Sequence, residues 1–147
     1  MNQLFLKTAI TAAACSLLFS SPMVAQVSPS TPRTALVQIT QGPEIELAKE
    51  FLTIIRWTTN NPGGSPVHYG VVHYGTDPKN LSQTARSPLR LDPGHPSTIF
   101  RVRMTGLKSG TTYYYTVSAE GSDGTVDKLE STVKQFTIPA EPQQTGP

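Results

Sequence analysis

The amino-acid sequence predicts an all-β domain, a β-sandwich of seven short strands. Runs rich in β-branched and aromatic residues recur between turn signals at intervals of roughly 8–15 residues. Thirteen prolines and eleven glycines in 147 residues disfavour long helices, and no segment has a clear helical period of 3.6 residues. Short strands separated by regular turns are typical of two packed β-sheets.

The first three strands are expected in the N-terminal half of the chain. Residues 36–39 are predicted as the first strand, and residues 44–51 are expected to form at most one helical turn. Residues 51–59 (FLTIIRWTT) follow as the second strand and end at the sequence NNPGG, a strong break. Residues 67–74 (VHYGVVHY) are predicted as the third strand.

The other four strands are expected between residues 81 and 138. Residues 81–87 are predicted as a short edge strand, and Pro88 should end its ladder because proline has no N–H to donate. Residues 99–104 (IFRVRM) alternate apolar and charged side chains, which is typical of a strand with one buried face. The last two predicted strands are residues 112–119 and 129–138.

The first 25 residues have the pattern of a secretory signal peptide. Lys7 supplies a positive charge, residues 9–19 form an apolar run, and Ala25 is a small residue at the expected cleavage point. The run is shorter than the roughly 20 residues that span a bilayer, so a secreted or periplasmic protein is expected. The predicted organisation is a signal peptide at 1–25, a flexible linker at 26–34, one domain at 35–139 and a disordered tail at 140–147.

Composition, charge and cysteine content narrow the functional classes. The hydrophobic fraction of 37% is typical of a globular domain, neither membrane-embedded nor disordered. The net charge is +2, and loss of Lys7 with the leader leaves about +1, so no nucleic-acid partner is expected. Cys15 is the only cysteine and lies in the leader, so the domain has no disulfide. An alternative lipid attachment at Cys15, the one route to a membrane, is disfavoured because the apolar run continues beyond it.

Two positions in the strand pattern resemble fibronectin type III domains. Trp57 stands where that family has its second-strand tryptophan, and residues 106–113 resemble its corner segment, with Ser109 in place of the usual proline. The resemblance implies that the Tyr113 hydroxyl bonds back to the chain while its ring packs inward. It also implies a seven-stranded immunoglobulin-like (fibronectin type III) β-sandwich.

A narrower resemblance is to the N-terminal domain of purple acid phosphatases. It rests on residues 72–81, residues 107–115 and the closing Phe-Thr-Ile-Pro at 136–139. In that family the domain is a fibronectin-like sandwich that precedes the metallophosphatase domain. The resemblance therefore implies the non-catalytic part of such an enzyme.

The acidic and imidazole side chains do not indicate a catalytic site. Three aspartates, at 77, 92 and 123, directly precede Pro or Gly, where turn formation explains them. A two-metal phosphatase site needs several carboxylates and imidazoles to converge, and the family's His-containing metal motifs are not found. No enzyme activity, metal or cofactor is expected. The three histidines are expected to be separate surface or loop residues: His68, His73 and His95.

One candidate binding face is cationic. Strand alternation predicts that the second strand turns Phe51, Thr53, Ile55 and Trp57 inward, and that the fifth turns Phe100, Val102 and Met104 inward. If the two strands are neighbours, as in the fibronectin fold, three arginines share the opposite face beside Leu52 and Ile54: Arg56, Arg101 and Arg103. Such a face fits an anionic partner or a neighbouring domain. The alternative is edge protection and solubility, with the arginine stems covering the two apolar side chains.

The other candidate face carries tyrosines. With Val72 and Tyr74 inward, the third strand directs three side chains outward: Tyr69, Val71 and His73. The adjacent strand is expected to direct Tyr114 and Thr116 the same way. Exposed tyrosines are common in binding faces, whereas the alternative is cross-strand packing that only stabilises the sheet.

The sequence therefore predicts an exported, non-catalytic module that binds a protein or a cell-surface polymer. Its candidate binding residues are Tyr69, His73, Tyr114, Arg56, Arg101 and Arg103. Two alternatives stay open: a relative of the phosphatase N-terminal domain that assists a separate metallophosphoesterase, and a carbohydrate-binding module whose tyrosines stack on sugar rings.

Overall fold

The computed structural model describes residues 32–34, 36–126 and 129–142, and these form two packed β-sheets. Its seven strands are β1 (Ile39–Lys49), β2 (Leu52–Asn60), β3 (Val67–Gly75), β4 (Gln83–Arg90), β5 (Ser97–Met104), β6 (Thr112–Gly121) and β7 (Lys134–Thr137). No helix occurs in the described part of the chain. The prediction of an all-β, seven-stranded sandwich is confirmed.

The strands are arranged as one three-stranded and one four-stranded antiparallel sheet. The first has the order β1-β2-β5 and the second the order β4-β3-β6-β7. Strand β2 lies beside β5, although residues 61–96 separate them in the chain, as the fibronectin resemblance implied. This pairing makes β2 and β5 present a joint inner face and a joint outer face.

The core lies between the two inner faces and is centred on Trp57. Its ring stacks on Phe100 with 5.2 Å between ring centroids. Gly70 on β3 lies against this pair, and a Cβ there would be only 3.0 Å from Trp57 Cη2 and 2.9 Å from Val102 Cγ2. The glycine is therefore what allows the indole to approach the opposite sheet. Of the residues predicted to face inward on β2 and β5, those that prove buried are Thr53, Ile55, Trp57, Phe100, Val102 and Met104.

A tyrosine corner closes one end of the sandwich. The Lys108 N–H donates a hydrogen bond to Tyr113 Oη at 3.0 Å, while the buried Tyr113 ring packs on Phe136. Ser109, at the position of the family's proline, donates to the Pro139 carbonyl at 2.9 Å and accepts from the Glu141 N–H at 2.9 Å. The implied role of Tyr113 is confirmed, and the serine fastens the C-terminal segment to the corner.

The N-terminal strand predictions need correction. The first strand is β1 and not residues 36–39, and residues 44–49 are part of it and form no helical turn. Strand β1 pairs with β2 despite three register irregularities, so tertiary contacts override the weak local pattern of this segment. Phe51, predicted to face inward, lies in the turn between β1 and β2 and is 68% exposed.

Two further strand limits differ from the predictions. Pro88 does not end a ladder but lies within β4 opposite Tyr69, and an edge strand tolerates proline because one side of it has no partner strand. The last strand begins at Lys134 and not at 129. Just before it, Ser131 Oγ accepts from the Val117 N–H at 3.0 Å. A side-chain oxygen thus takes the place of a ladder carbonyl, and the regular pairing with β6 starts only afterwards.

The predicted signal peptide at 1–25 lies outside the described residues, as do most of the linker and the end of the tail. Where the linker is described, the Thr34 N–H donates to the Pro62 carbonyl at 2.8 Å. In the described ranges, no helix has the length and apolar character needed to cross a bilayer.

Candidate functional site

The outer face of the three-stranded sheet brings the predicted arginines together. Arg56 on β2 lies directly opposite Arg101 on β5, and Ile54 lies opposite Arg103. Opposed residues in an antiparallel pair share one side of the sheet, so the three guanidinium groups and Ile54 belong to one surface. We call it the arginine face, and Leu52 at its end is half-buried like Ile54.

Two of the three arginines have glutamate partners from β1. Arg56 Nη1 lies 2.8 Å from Glu44 Oε1, and Arg101 Nε lies 2.8 Å from Glu46 Oε2. These ion pairs relieve the like-charge contact that the strand register would otherwise create. Sequence reasoning missed both glutamates because it assigned residues 44–51 to a helical turn. The face is therefore less cationic than predicted.

Arg103 differs from its two neighbours. Within the described ranges, its side chain has no carboxylate at ion-pair distance, and it is exposed. Its N–H donates to Ser87 Oγ at 3.3 Å, which links the edge of β5 to β4. Beside it is a groove of about 380 Å³ lined by Ile54, Ser87, Pro88, Arg101 and Arg103. We call this the Arg103 groove.

The outer face of the four-stranded sheet separates the predicted tyrosines. On β6, Tyr114 lies opposite Gly75, whereas the residue opposite Tyr69 is Glu120. Six residues of β3 separate these two rows, which corresponds to about 20 Å along the strand. Tyr69 and Tyr114 are each half-buried. The two rings therefore do not form one patch.

The Tyr69 ring is already covered by a side chain of the same sheet. The Arg86 guanidinium lies 4.4 Å from the centre of the Tyr69 ring, and Arg86 Nη2 lies 2.7 Å from Glu120 Oε2. Val71 and Thr116, predicted to point outward, do lie on this side of the sheet but are only 1% and 4% exposed. These contacts favour the alternative of cross-strand packing over an open tyrosine surface.

The histidines are dispersed. His68, predicted to be a surface or loop residue, is fully buried on the inner face, because it shares strand parity with the inward Val72. His73 lies on the outer face, with Nδ1 3.1 Å from Thr84 Oγ1. His95 lies in a loop, with Nε2 3.4 Å from an Asp92 carboxylate oxygen. Nowhere in the described ranges do three metal-ligating side chains gather.

The predicted turn aspartates each accept a backbone hydrogen bond two residues ahead. Asp77 accepts from Lys79 N at 2.9 Å, and Asp92 accepts from Gly94 N at 2.9 Å. Asp123 accepts from Thr125 N at 3.0 Å, and its hydrogen bonds to Thr125 hold the pKa of its carboxyl below the usual value. All three are therefore used in turns, as predicted.

Two tyrosines of the four-stranded sheet, the buried Tyr115 and the half-buried Tyr74, have raised pKa values. Burial raises the pKa of Tyr115 to about 12. Burial, and then the neighbouring Tyr113, raise the pKa of Tyr74. Both are therefore neutral phenols over the physiological range.

Comparison with protein families places the domain. Residues 51–138 match the family model described as the purple acid phosphatase N-terminal domain. The chain belongs to this family. The match covers β2 to β7, including the tryptophan and the tyrosine corner, and this domain is the non-catalytic part of purple acid phosphatases. No curated protein matches the chain.

Two solved structures are similar to the chain at low sequence identity. The sensor domain of the anti-sigma factor RsgI4 of Pseudobacteroides cellulosolvens is 15% identical, with a TM-score of 0.52 over 76% of this chain and 98% of that chain. The third fibronectin III domain of human KIAA0343 protein is 12% identical, with a TM-score of 0.43 over 86% of this chain and 99% of that chain. At 15% identity the first likeness concerns the fold, and it agrees with a β-sandwich.

Proposed function

We propose that this protein is an exported, non-catalytic fibronectin type III-like module that binds another macromolecule through its arginine face. The observation that carries this function is the groove beside Arg103, where a cation without a carboxylate partner in the described ranges adjoins the half-buried Ile54 and the exposed Pro88. Large apolar and arginine side chains together are characteristic of binding surfaces. Export is supported by the leader pattern in residues 1–25.

A non-catalytic role is supported by how the described polar groups are used. Asp77, Asp92 and Asp123 accept turn hydrogen bonds, and the histidines lie on different sides of the sandwich. Membership of a family whose N-terminal domain is the non-catalytic part of an enzyme agrees with this. The binding function therefore rests on surface chemistry, and the arginine face is a better candidate than the tyrosine face because Tyr69 is covered by Arg86.

The test is binding by the exported full-length product. The tagged protein is produced with its own leader, and mass spectrometry of the mature form should give an N-terminus at Gln26. The purified protein is then used to capture partners from secreted and envelope fractions. We expect an Arg101→Gln/Arg103→Gln variant to lose a partner that a Lys79→Gln/Arg90→Gln variant, at exposed positions away from the arginine face, retains. Identical partners for all three proteins, or none, would contradict the proposed function.

The family match favours a second candidate, assistance to a separately encoded metallophosphoesterase. Under this function the protein itself hydrolyses nothing but alters the activity of the enzyme that it contacts. The measurements are metal content and p-nitrophenyl phosphate turnover of the purified protein. We expect neither bound metal nor turnover above a buffer control. Turnover with a stoichiometric transition metal would overturn the non-catalytic assignment under both candidates.

A further inference from the structure

The Arg103 groove lies where the edges of the two sheets meet. Strand β5 is the edge of the three-stranded sheet, and β4 is the edge of the four-stranded sheet. Ile54 and Pro88 supply apolar surface, Ser87 supplies a hydroxyl, and Arg101 and Arg103 supply positive charge. The groove therefore combines an apolar part with a cationic rim in a volume of about 380 Å³.

We propose that this groove binds an extended acidic segment of a partner protein, with a carboxylate on Arg103 and, two residues along on the same face of the segment, an apolar side chain on Ile54 and Pro88. The inference rests on the proposed function and names its partner class and its site. A guanidinium and a carboxylate match in charge and in geometry, since the two groups can form parallel N–H···O bonds.

The arginine face itself shows which anion it accepts. Its other two arginines take glutamates, Glu44 on Arg56 and Glu46 on Arg101, each at 2.8 Å. Arg103 is the arginine of this face that has no such partner from the described residues. A carboxylate from a partner protein would give Arg103 the same kind of ion pair that Arg56 and Arg101 already form.

The backbone of β5 favours an extended protein segment as the occupant. The Arg103 N–H points away from β2, because it donates to Ser87 Oγ on β4. Alternate residues of a strand direct their backbone groups to the same edge, so the backbone of Arg101 also faces the groove side. Because the Arg103 N–H is already used by Ser87, a partner strand would pair with the main chain at Arg101 in addition to its side-chain contacts. A phosphate polymer would engage the arginines but leave Ile54 and Pro88 without an apolar partner.

The test uses a defined peptide and the full mature chain in solution. The probe is the blocked hexapeptide Glu-Thr-Val-Thr-Glu-Thr, in which Glu and Val share one face of an extended strand, and the control peptide has Gln in place of each Glu. NMR follows the Arg103 Nε–H and the Ile54 methyl signals during titration. We expect saturable shifts at both positions with the Glu peptide, and binding up to about fivefold weaker with the Gln peptide, as for the loss of one ion pair.

Two variants separate the groove from general positive charge. Arg103→Gln should weaken binding of the Glu peptide about fivefold, whereas Arg90→Gln, an exposed arginine on the other sheet, should leave it unchanged. Both variants should keep a dispersed wild-type spectrum, which shows that the fold is intact. Equal losses in the two variants, or equal binding of the two peptides, would overturn the inference.

Inorganic phosphate and polyphosphate are titrated in parallel. Saturable shifts at Arg103 at lower concentrations than the peptide requires would assign the groove to a phosphate-bearing partner and contradict a protein segment. The inference can also fail while the proposed function holds. A wild-type chain that captures a partner through the arginine face but does not bind the Glu peptide retains the function and loses this assignment.

Discussion

The two outer faces of the sandwich are built from the same alternating strand pattern, yet one is closed and the other is open. On the four-stranded sheet, Val71 is 1% exposed and Arg86 lies across the Tyr69 ring with its charge on Glu120. On the three-stranded sheet, Ile54 is half-buried and borders a groove next to Arg103. Both faces carry arginines, so charge alone does not distinguish them.

The difference in exposure between Val71 and Ile54 comes from the residues opposite them on the neighbouring strands, and not from the strands that carry them. Arg86 lies directly opposite Val71, where its stem can cover the valine while its guanidinium reaches Glu120. Arg103 lies directly opposite Ile54 but has no acid beyond it among the described residues. Alternation therefore determines the side of a residue, and its cross-strand partners determine whether that side stays open for binding.

The largest expected difference between the sheets is their response to alkaline pH. Tyr115 in the four-stranded sheet has a pKa raised to about 12 by burial, so above pH 10 the unfolded chain releases a proton that the folded chain keeps. The contribution of Tyr115 to stability should be constant below about pH 10 and fall by about 2–3 kcal/mol between pH 10 and 12. Urea denaturation across this range measures the fall. Tyr74, whose pKa is also raised, adds to it with the same sign.

A pair of variants tests this assignment. Tyr115→Phe should remove most of the alkaline loss, because the variant has no phenol to ionise at this buried position. Tyr114→Phe, on the outer side of the same strand, should keep the wild-type pH dependence. If both variants lose stability like the wild type, the alkaline transition has another origin.

Removing apolar volume from the closed face should have the next largest effect. Val71→Ala deletes two methyl groups at a site that is 1% exposed, and we expect a loss of about 2 kcal/mol in the free energy of unfolding. Val67→Ala, at a half-buried position on the same side of β3, is the matched control and should cost less than half as much. Equal losses would mean that the closed face protects both positions alike.

The parts of the fold that the sequence predicted are those with strong local chemistry. The alternation of β5 predicted every buried residue from Phe100 to Met104, and Trp57 and Tyr113 were predicted in their observed roles. At these positions the side chain must be large or must form a specific hydrogen bond, and the inward residues recur at every second position of the strand. The arrangement of β2 beside β5 followed from the family resemblance, and so the arginine face was predicted as a surface.

What the sequence did not predict depends on contacts between distant residues. Glu44 and Glu46 have strand geometry only because β2 lies beside them, so their ion pairs with the arginines were missed. Phenylalanine is common in strands, but Phe51 lies in the turn between β1 and β2, where its side chain is exposed. Val71 has outward parity and is nevertheless buried, since parity says nothing about the side chain opposite it.

The cluster that closes the four-stranded sheet can be opened by a single substitution. Arg86→Gln removes the cation above the Tyr69 ring and the ion pair with Glu120. Because the Arg86 side chain is 49% exposed, we expect a loss of only about 1 kcal/mol. A double-mutant cycle with Glu120→Gln gives the share of the ion pair. A change smaller than the error of the urea measurement would show that Arg86 does not hold this face closed.

The smallest stability effects are expected on the arginine face, and they separate a paired arginine from Arg103. Arg101→Gln should cost about 0.5 kcal/mol, reduced further in 1 M salt, because it breaks an exposed ion pair with Glu46. Arg103→Gln should leave the free energy of unfolding within about 0.5 kcal/mol of the wild type and show no salt dependence.

Glu46→Gln sharpens this contrast, because it leaves Arg101 in the same state as Arg103. If carboxylates from β1 keep the arginine face partly neutral, this variant should bind the acidic peptide more tightly than the wild type. Glu50→Gln, at the turn after β1, is the control for the change in net charge. Equal tightening in both variants would assign the effect to overall charge, whereas tightening confined to Glu46→Gln would show that β1 limits how many carboxylates the face accepts from outside.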